Sequence, residues 1–471
     1  MVSESRQRLK YLLSDFISSN VAWFSYNCVR YAMGAVHGQQ SLKAFLLSGN
    51  VMLGQLLFPL LMMGVYSLSG YYNEVFRKSR LQELLQTASN SLINSLILFF
   101  VALINDPTIE RQTNYELIAI LWGMLFVCVY IPRAIITNHT SRRIKRRQWM
   151  FNTLVVGCGT AGCAFVERLE RMKVSLGYNV VGYVAIPGEN NVKNMDRPIF
   201  DLDDIRKVCL SQNIKEIIVI PTKNNRNHVL TVINKLFSLN LPIKIAPDKY
   251  NILLSRARLN DIHGDPLIDI SSSSMTEGGK NMKRLVDIIV SSIALVFIAI
   301  LYPIVALFIK LDTKGPVIYK QERIGYHNKV FNILKFRSMI DKAEVKGKPQ
   351  LSSQDDPRIT RVGRFLRKYR IDELPQFWNV LRGDMTLVGP RPERKHYVDL
   401  ISERQPAYAL VHQVRPGITS MGMVKFGYAQ TVDQMLERLD YDLIYLENMS
   451  LLNDLKIVVY TLKIIITGKG V

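Results

Sequence analysis

The stretch KRLVDIIVSSIALVFIAILYPIVALFIKLDTK, residues 283–314, sets the architecture. Its apolar run Leu285–Ile309 has 25 residues, enough to cross a bilayer that needs about 20. Its flanks oppose a simple crossing. Lys283 and Arg284 precede it, Lys310 and Lys314 follow it, and basic residues favour the cytoplasmic side. Pro303 removes a backbone donor and bends a helix. A helix that enters, breaks at Pro303 and returns to the same side satisfies both facts. An ordinary span would instead place the basic region that follows outside the cell.

Upstream lie four more apolar segments, roughly Tyr11–Met33, Ala44–Leu68, Ser89–Ile104 and Tyr115–Ile136. The first is polar in places, with Asp15, Asn20, Asn27 and Arg30, and the third is short. Lys and Arg number 3, 1, 3, 1 and 5 in the flanks from the N-terminus to beyond the fourth segment. That alternation fits four spans with both ends in the cytoplasm. No short apolar stretch with a small-residue cleavage site opens the chain, so no removable leader is expected. The 471 residues carry 60 Lys+Arg against 39 Asp+Glu, and 48% are hydrophobic, which excludes a disordered chain. The basic excess is read as membrane-directed. No nucleic-acid partner is expected, because no such module is recognisable. Five cysteines without a CxxC pair exclude a disulfide framework and a structural zinc site.

Residues 150–270 change character. FNTLVVGCGTAG (151–162) is an apolar strand running into Gly157-x-Gly159-x-x-Gly162, and CAFVERLERM then reads as an amphipathic helix. YNVVGYVAI, IKEIIVI and LPIKIAP follow as further strands. Alternating strands and helices imply a parallel, Rossmann-like sheet. The second strand ends Val184-Ala185-Ile186-Pro187 without the acidic residue a dinucleotide ribose needs, and no Tyr-x-x-x-Lys relay occurs, so NAD is not expected. SSSSMTEGGKN (271–281) is a linker. The organisation is therefore 1–149 membrane helical bundle, 150–270 cytosolic α/β domain, 271–281 linker and 282–471 a mainly α, monotopic domain.

Downstream, six basic residues stand between positions 358 and 370 with no acidic one. Apolar residues interleave at helical spacing, as in a helix lying in a membrane interface. Asp372-Glu373-Leu374-Pro375 follows at once. Nearby bases keep a carboxylate ionised, an ionised Asp can attack phosphorus, and a neighbouring Glu can help to hold Mg²⁺. On pattern alone, a solvated acidic pair capping a helix is the favoured reading. His327, His396 and His412 have no partner at ligand spacing and are read as ordinary surface or loop histidines.

KFRSM (335–339), DELPQFWNVLRGDMTLVGPRPE (372–393) and RPGIT (415–419) closely resemble the bacterial sugar transferases, the polyprenyl-phosphate glycosylphosphotransferases. The whole chain resembles their large members, with four spans, a Rossmann-like domain and a monotopic transferase domain. The resemblance implies transfer of a sugar-1-phosphate from a UDP-sugar to undecaprenyl phosphate, giving undecaprenyl-diphosphate-sugar and UMP. It implies a covalent phosphosugar–aspartate intermediate, and a place at the initiation of exopolysaccharide, capsule or O-antigen synthesis. Asp372 would be the nucleophile and Glu373 the Mg²⁺ ligand. Arg367 would bind phosphate, and Pro390-Arg391-Pro392 the nucleotide sugar. Lys335, Arg337 and Arg415 match further basic positions, and Pro303 the break of the re-entrant helix. The implied location is the bacterial inner membrane, with the catalytic domain on the cytoplasmic face; homo-oligomerisation is left open.

Two departures stand out. Tyr302 precedes Pro303 where the family often has Ser, so the hydroxyl back-bond that would steady the bend is lost. After RPGIT the chain reads Ser420-Met421-Gly422-Met423-Val424-Lys425-Phe426-Gly427, unlike many members. Two other readings compete. A membrane-bound NAD-dependent dehydratase or epimerase needs the NAD site and relay that the chain lacks. A non-catalytic nucleotide-sensing module predicts that Asp372 and Glu373 are dispensable.

Overall fold

The computed structural model describes residues 3–34, 41–73, 75–76, 78, 80–103, 111–186, 197–220, 232–233, 235–237, 239, 241–246, 268–269, 274–341 and 356–467. The expected end of the third segment at Ile104, parts of the α/β region and residues 271–273 of the linker lie outside the described residues. The chain forms two compact units: Met1–Met150 with Met172–Gly177 and Thr276–Met282, and Phe151–Arg171 with Tyr178–Met275 and Lys283–Val471.

The first unit contains the helices Glu4–Ala32, Gly49–Leu68, Arg80–Leu98 and Arg111–Lys145. Its polarity is inverted relative to a soluble bundle. Along the first helix Leu9, Leu13, Ile17, Val21 and Phe24 are exposed, while Gln7, Asp15, Ser18, Ser19 and Asn27 are buried. That is the pattern of a helix with an apolar stripe turned outward. Its polar residues leave it too hydrophilic to rank with the four helices that, among the described residues, are long and apolar enough to cross a membrane. Those are Gly49–Leu68, Arg80–Val101, Tyr115–Lys145 and Glu277–Asp312. The last of them carries the stretch that the sequence reads as re-entrant.

At the centre of the bundle the Arg133 guanidinium grips Asp15 with both arms, Nε to Oδ1 at 2.7 Å and Nη2 to Oδ2 at 2.5 Å. The pair is buried completely, and the rings of Tyr66 and Tyr71 lie 3.8 and 3.7 Å from the guanidinium. Tyr72 donates its hydroxyl proton to Asp15 at 2.6 Å. Glu83 accepts from Tyr71 and from Thr137. Removing one member of such a pair strands a charge and costs about 3–5 kcal/mol.

In the second unit a six-stranded sheet has the order β3-β2-β1-β4-β5-β6. Its strands are β1 (Phe151–Val156), β2 (Tyr178–Val184), β3 (Ile199–Phe200), β4 (Glu216–Val219), β5 (Ile243–Ile245) and β6 (Ile268–Asp269). The first five run parallel, as the alternating sequence predicts. β6 is antiparallel to β5, an edge arrangement that alternation does not reveal. Gly157, with φ +118°, ends the first strand, and Gly162 packs on its carbonyl: a Cβ there would stand 2.1 Å from the Gly157 oxygen.

The remainder of this unit is less purely helical than expected. β7 (Ile318–Ile324) and β8 (Val330–Phe336) form an antiparallel hairpin, turned through His327 and Asn328 in the left-handed region. β9 (Thr386–Val388) pairs in parallel with β10 (Gly417–Thr419). The long helix Glu277–Asp312 runs through Pro303, and both parts of it within this unit are tied to the same core. Near its start Arg284 donates to the carbonyls of Val380 and Leu381, Lys283 reaches Val388 O and Asp454, and buried Asp287 accepts from Leu387 N. At its end Asp312 accepts from Val362 N at 3.0 Å. Val305 and Ile309 pack with Phe336 and Leu366, whereas Val296, Phe297 and Ile300 between these anchors are exposed.

Candidate active site

The basic run forms the helix Arg361–Lys368, capped by Thr360, whose Oγ1 accepts from Gly363 N. Leu366 and Val362 face the core; Arg361, Arg364, Phe365 and Lys368 face outward. Gly363 permits close packing on the segment just beyond β8, since a Cβ there would meet Ser338 O at 2.0 Å. The helix stops at Tyr369, and Arg370 adopts a left-handed conformation with φ +53°. A single 3-10 turn, Ile371–Glu373, then carries the two carboxylates. Pro375 opens the helix Gln376–Arg382, which ends at left-handed Gly383.

Both carboxylates are buried, Asp372 at 6% and Glu373 at 4% exposure. Lys335, on β8, places its ammonium 2.9 Å from Glu373 Oε1, and Arg391 Nη1 lies 3.5 Å from the same oxygen. Asn379 fixes the register between the two elements: its Oδ1 accepts from Leu334 N and its Nδ2 donates to Asn332 O. The loop holding Arg391 is tied down on both sides. Gly417 N donates to Pro390 O, and Arg323 Nη1 to Pro392 O. Glu393, next in the chain, is clamped by Arg323 at 3.1 Å and Arg438 at 2.5 Å.

Burial and charge act oppositely on the two acids. Burial pushes Asp372 up to about 6, against the opposing pull of Lys335 and with a further push from Glu373. Glu373 suffers the same burial, yet Lys335, Arg391 and Arg370 outweigh it and hold its carboxyl well below the usual range. The turn thus presents one fully ionised glutamate and one aspartate that gains or loses its proton just below neutral pH.

Of the residues singled out in the sequence, Asp372, Glu373, Lys335 and Arg391 converge here. Arg367 adds positive potential at Asp372, its Nε donating to Ser338 Oγ at 3.0 Å. Arg337 and Arg415 are engaged with backbone instead. Arg337 donates to the carbonyls of Thr313 and Lys314, and Arg415 Nε to Gly383 O at 3.0 Å. Pro303 lies in the long helix beside Tyr302, whose ring is 5.9 Å from that of Phe336. Arg370, Gln376 and Glu393 are buried and Tyr428 is half-buried around the pair; none was singled out as a site residue. For Arg370 a signal existed: Gly363, Leu366 and Arg370 recur at helical spacing on the inward face, opposite Arg361, Arg364 and Lys368.

No group of three or more His, Cys, Asp or Glu side chains able to hold a metal occurs among the described residues. One feature fits a cation nonetheless. Glu373 Oε2 is buried without a hydrogen-bond partner among the described residues, a free acceptor beside a second carboxylate. Mg²⁺ needs only one or two carboxylates when substrate phosphates complete its shell.

Residues 279–468 match the family described as bacterial sugar transferase. The chain is 41% identical over 218 residues to the UDP-N-acetylgalactosamine-undecaprenyl-phosphate N-acetylgalactosaminephosphotransferase of Aeromonas hydrophila, covering 46% of this chain and 51% of that one. It is 31% identical over 303 residues to the UDP-glucose:undecaprenyl-phosphate glucose-1-phosphate transferase of Klebsiella pneumoniae, covering 64% of each. With the protein of the same description from Caulobacter vibrioides the identity is 42% over 187 residues, covering 39% of this chain and 70% of that one. The chain thus spans about half of the Aeromonas relative and just under two thirds of the Klebsiella one.

Proposed function

The chain belongs to the bacterial sugar transferase family, and on that premise we propose that it transfers a sugar-1-phosphate from a UDP-sugar to undecaprenyl phosphate. The observation that carries this reading is the buried Asp372–Glu373 turn, with Lys335 and Arg391 on Glu373 and Arg367 beside Asp372. A carboxylate so placed is desolvated, largely ionised at neutral pH and surrounded by cations able to receive phosphate oxygens.

In the first half-reaction an Asp372 oxygen attacks the phosphorus that bears the sugar. The bond from that phosphorus to the bridging oxygen breaks, and UMP departs with the electron pair. In the second, a phosphate oxygen of undecaprenyl phosphate attacks the same phosphorus, the aspartyl–phosphorus bond breaks, and undecaprenyl-diphosphate-sugar forms with the carboxylate regenerated. Neither half requires a proton to be taken from an attacking hydroxyl, so no histidine base is needed. Arg391 and Lys335 hold Glu373 ionised and bring positive charge to the diphosphate; Arg367 does the same at Asp372. Glu373, through its free Oε2, would hold Mg²⁺, which supplies charge neutralisation on the substrate phosphates when bound.

The lipid acceptor places the reaction at head-group depth. Both anchored parts of the helix Glu277–Asp312 join one core, while its exposed middle is apolar; this supports a re-entrant course with Pro303 at the bend. Basic flanks support a cytoplasmic face of the bacterial inner membrane. The strand order 3-2-1-4-5-6 supports a Rossmann-like sheet, to which we assign a regulatory rather than catalytic part. The product would initiate a surface polysaccharide.

The test is UMP release by the full chain in lipid, with Mg²⁺, undecaprenyl phosphate and a panel including UDP-glucose and UDP-N-acetylgalactosamine. Release with at least one donor, lost in Asp372→Asn and in excess EDTA, is expected. Undiminished turnover by Asp372→Asn would overturn the nucleophile, and full activity in EDTA the metal.

A further inference from the structure

Besides Glu373 Oε2, two donors around the carboxylate turn are buried without a partner among the described residues, Arg370 Nε and Gln376 Nε2. Arg370 is the more telling. It is 7% exposed, and its Nε is buried without a hydrogen-bond partner among the described residues. What it does have is an aromatic platform: the Tyr428 ring lies 5.2 Å from the Arg370 guanidinium and 5.0 Å from that of Arg391. Leaving a buried guanidinium N–H without an acceptor is costly, and a left-handed backbone at a residue with a side chain adds strain.

Charge balance gives this cation a direction. Lys335, Arg367, Arg370 and Arg391 surround Asp372 and Glu373, while the nearby Glu393 is already clamped by Arg323 and Arg438. Glu373 Oε1 is already taken by Lys335 and Arg391. The site therefore carries an excess of positive charge, which a phosphate or diphosphate group would neutralise.

We infer that Arg370, held against the Tyr428 ring, is an anion-binding residue of this site that donates to a phosphoryl oxygen, with the Gln376 amide as a second donor. Naming that oxygen as a substrate's rests on the reaction proposed above; the anion site itself does not. Tyr428 follows the segment Ser420–Gly427 that departs from the family pattern, so this assignment gives that part of the chain a function.

The experiment uses the full chain in lipid nanodiscs and the variants Arg370→Gln, Arg370→Lys, Tyr428→Phe and Tyr428→Leu. In a two-step displacement, kcat/KM for the donor reports the first half-reaction alone and kcat/KM for undecaprenyl phosphate the second. Arg370→Gln is expected to lower at least one of them by about 10- to 100-fold. Arg370→Lys should recover part of the loss, and Tyr428→Leu should lose more than Tyr428→Phe. A fall confined to the donor value assigns Arg370 to the donor diphosphate; one confined to the acceptor value assigns it to the lipid phosphate. Equilibrium binding of labelled inorganic pyrophosphate, with the thermal midpoint as a folding control, provides an arm independent of turnover. There Arg370→Gln should bind about tenfold more weakly, and Arg370→Lys decides if the Gln variant does not fold. If the wild type releases no UMP with any donor, the reaction is refuted while pyrophosphate binding still decides on Arg370. The inference is overturned if pyrophosphate does not bind the wild type, or if the folded Arg370 variants match it within about twofold in binding and in both kcat/KM values.

Discussion

Replacing Lys335 by Met removes the ammonium 2.9 Å from Glu373 Oε1, which also opposes the burial-driven rise of Asp372. Asp372 titrates at about 6, so roughly nine tenths of it is ionised at pH 7. A cation within a few ångström typically lowers a carboxyl pKa by about one to three. Arg367 and Arg391 remain in the variant, so the lower part of that range applies, and Asp372 should titrate between roughly 7 and 8. The ionised fraction at pH 7 then falls by about two- to tenfold, and it returns above about pH 9. The assay is kcat/KM for the UDP-sugar from pH 5 to 10, which reports the free enzyme's essential groups. With Asp372 as the proposed nucleophile, activity follows its deprotonated form, so the acid limb must move to higher pH. A limb that stays near pH 6 while activity falls equally at every pH would show that Lys335 acts on the substrate alone, and the electrostatic reasoning would fail.

Other outcomes follow from the same structure. Asp372→Asn removes a carboxylate whose ionised form is disfavoured by burial, so at pH 8 it should unfold at the wild-type temperature or above while being inactive; scanning fluorimetry checks this. Arg133→Met should destabilise the bundle by about 3–5 kcal/mol, and the double variant Asp15→Leu/Arg133→Met should recover part of that in a denaturation series. Gly363→Ala gains up to about 1 kcal/mol of helix propensity but drives a methyl into Ser338 O. Overpacking of about 1–3 kcal/mol should prevail, lowering the thermal midpoint and kcat/KM together.

The sequence was legible where local pattern carries the information. Apolar length marked the long helices, Gly157-x-Gly159-x-x-Gly162 marked the strand-to-helix turn, and the carboxylates stood beside their basic run. It was silent where partners are distant. Asp15 looked like a flaw in a span because its partner, Arg133, is far along the chain. Lys335 and Arg337 stand two residues apart, yet the first is on β8 and reaches Glu373, while the second lies just beyond the strand and binds the end of the long helix. Arg415 matched a site motif but caps the helix Gln376–Arg382 through Gly383 O. The β7–β8 hairpin was missed because Tyr319, Lys320, Glu322 and Val330 are exposed, leaving no clean apolar alternation to read.

The double anchoring of the helix Glu277–Asp312 has a mechanical reading. A domain on a flexible leash can bob in the interface without changing its internal geometry. This helix is instead a beam clamped at two places, at Val380 and Leu381 through Arg284 and at Val362 through Asp312. Those clamps grip the elements on either side of the turn that carries Asp372. A lateral load on its exposed apolar middle therefore has no slack to vanish into; it passes to the two abutments between which Asp372 is slung.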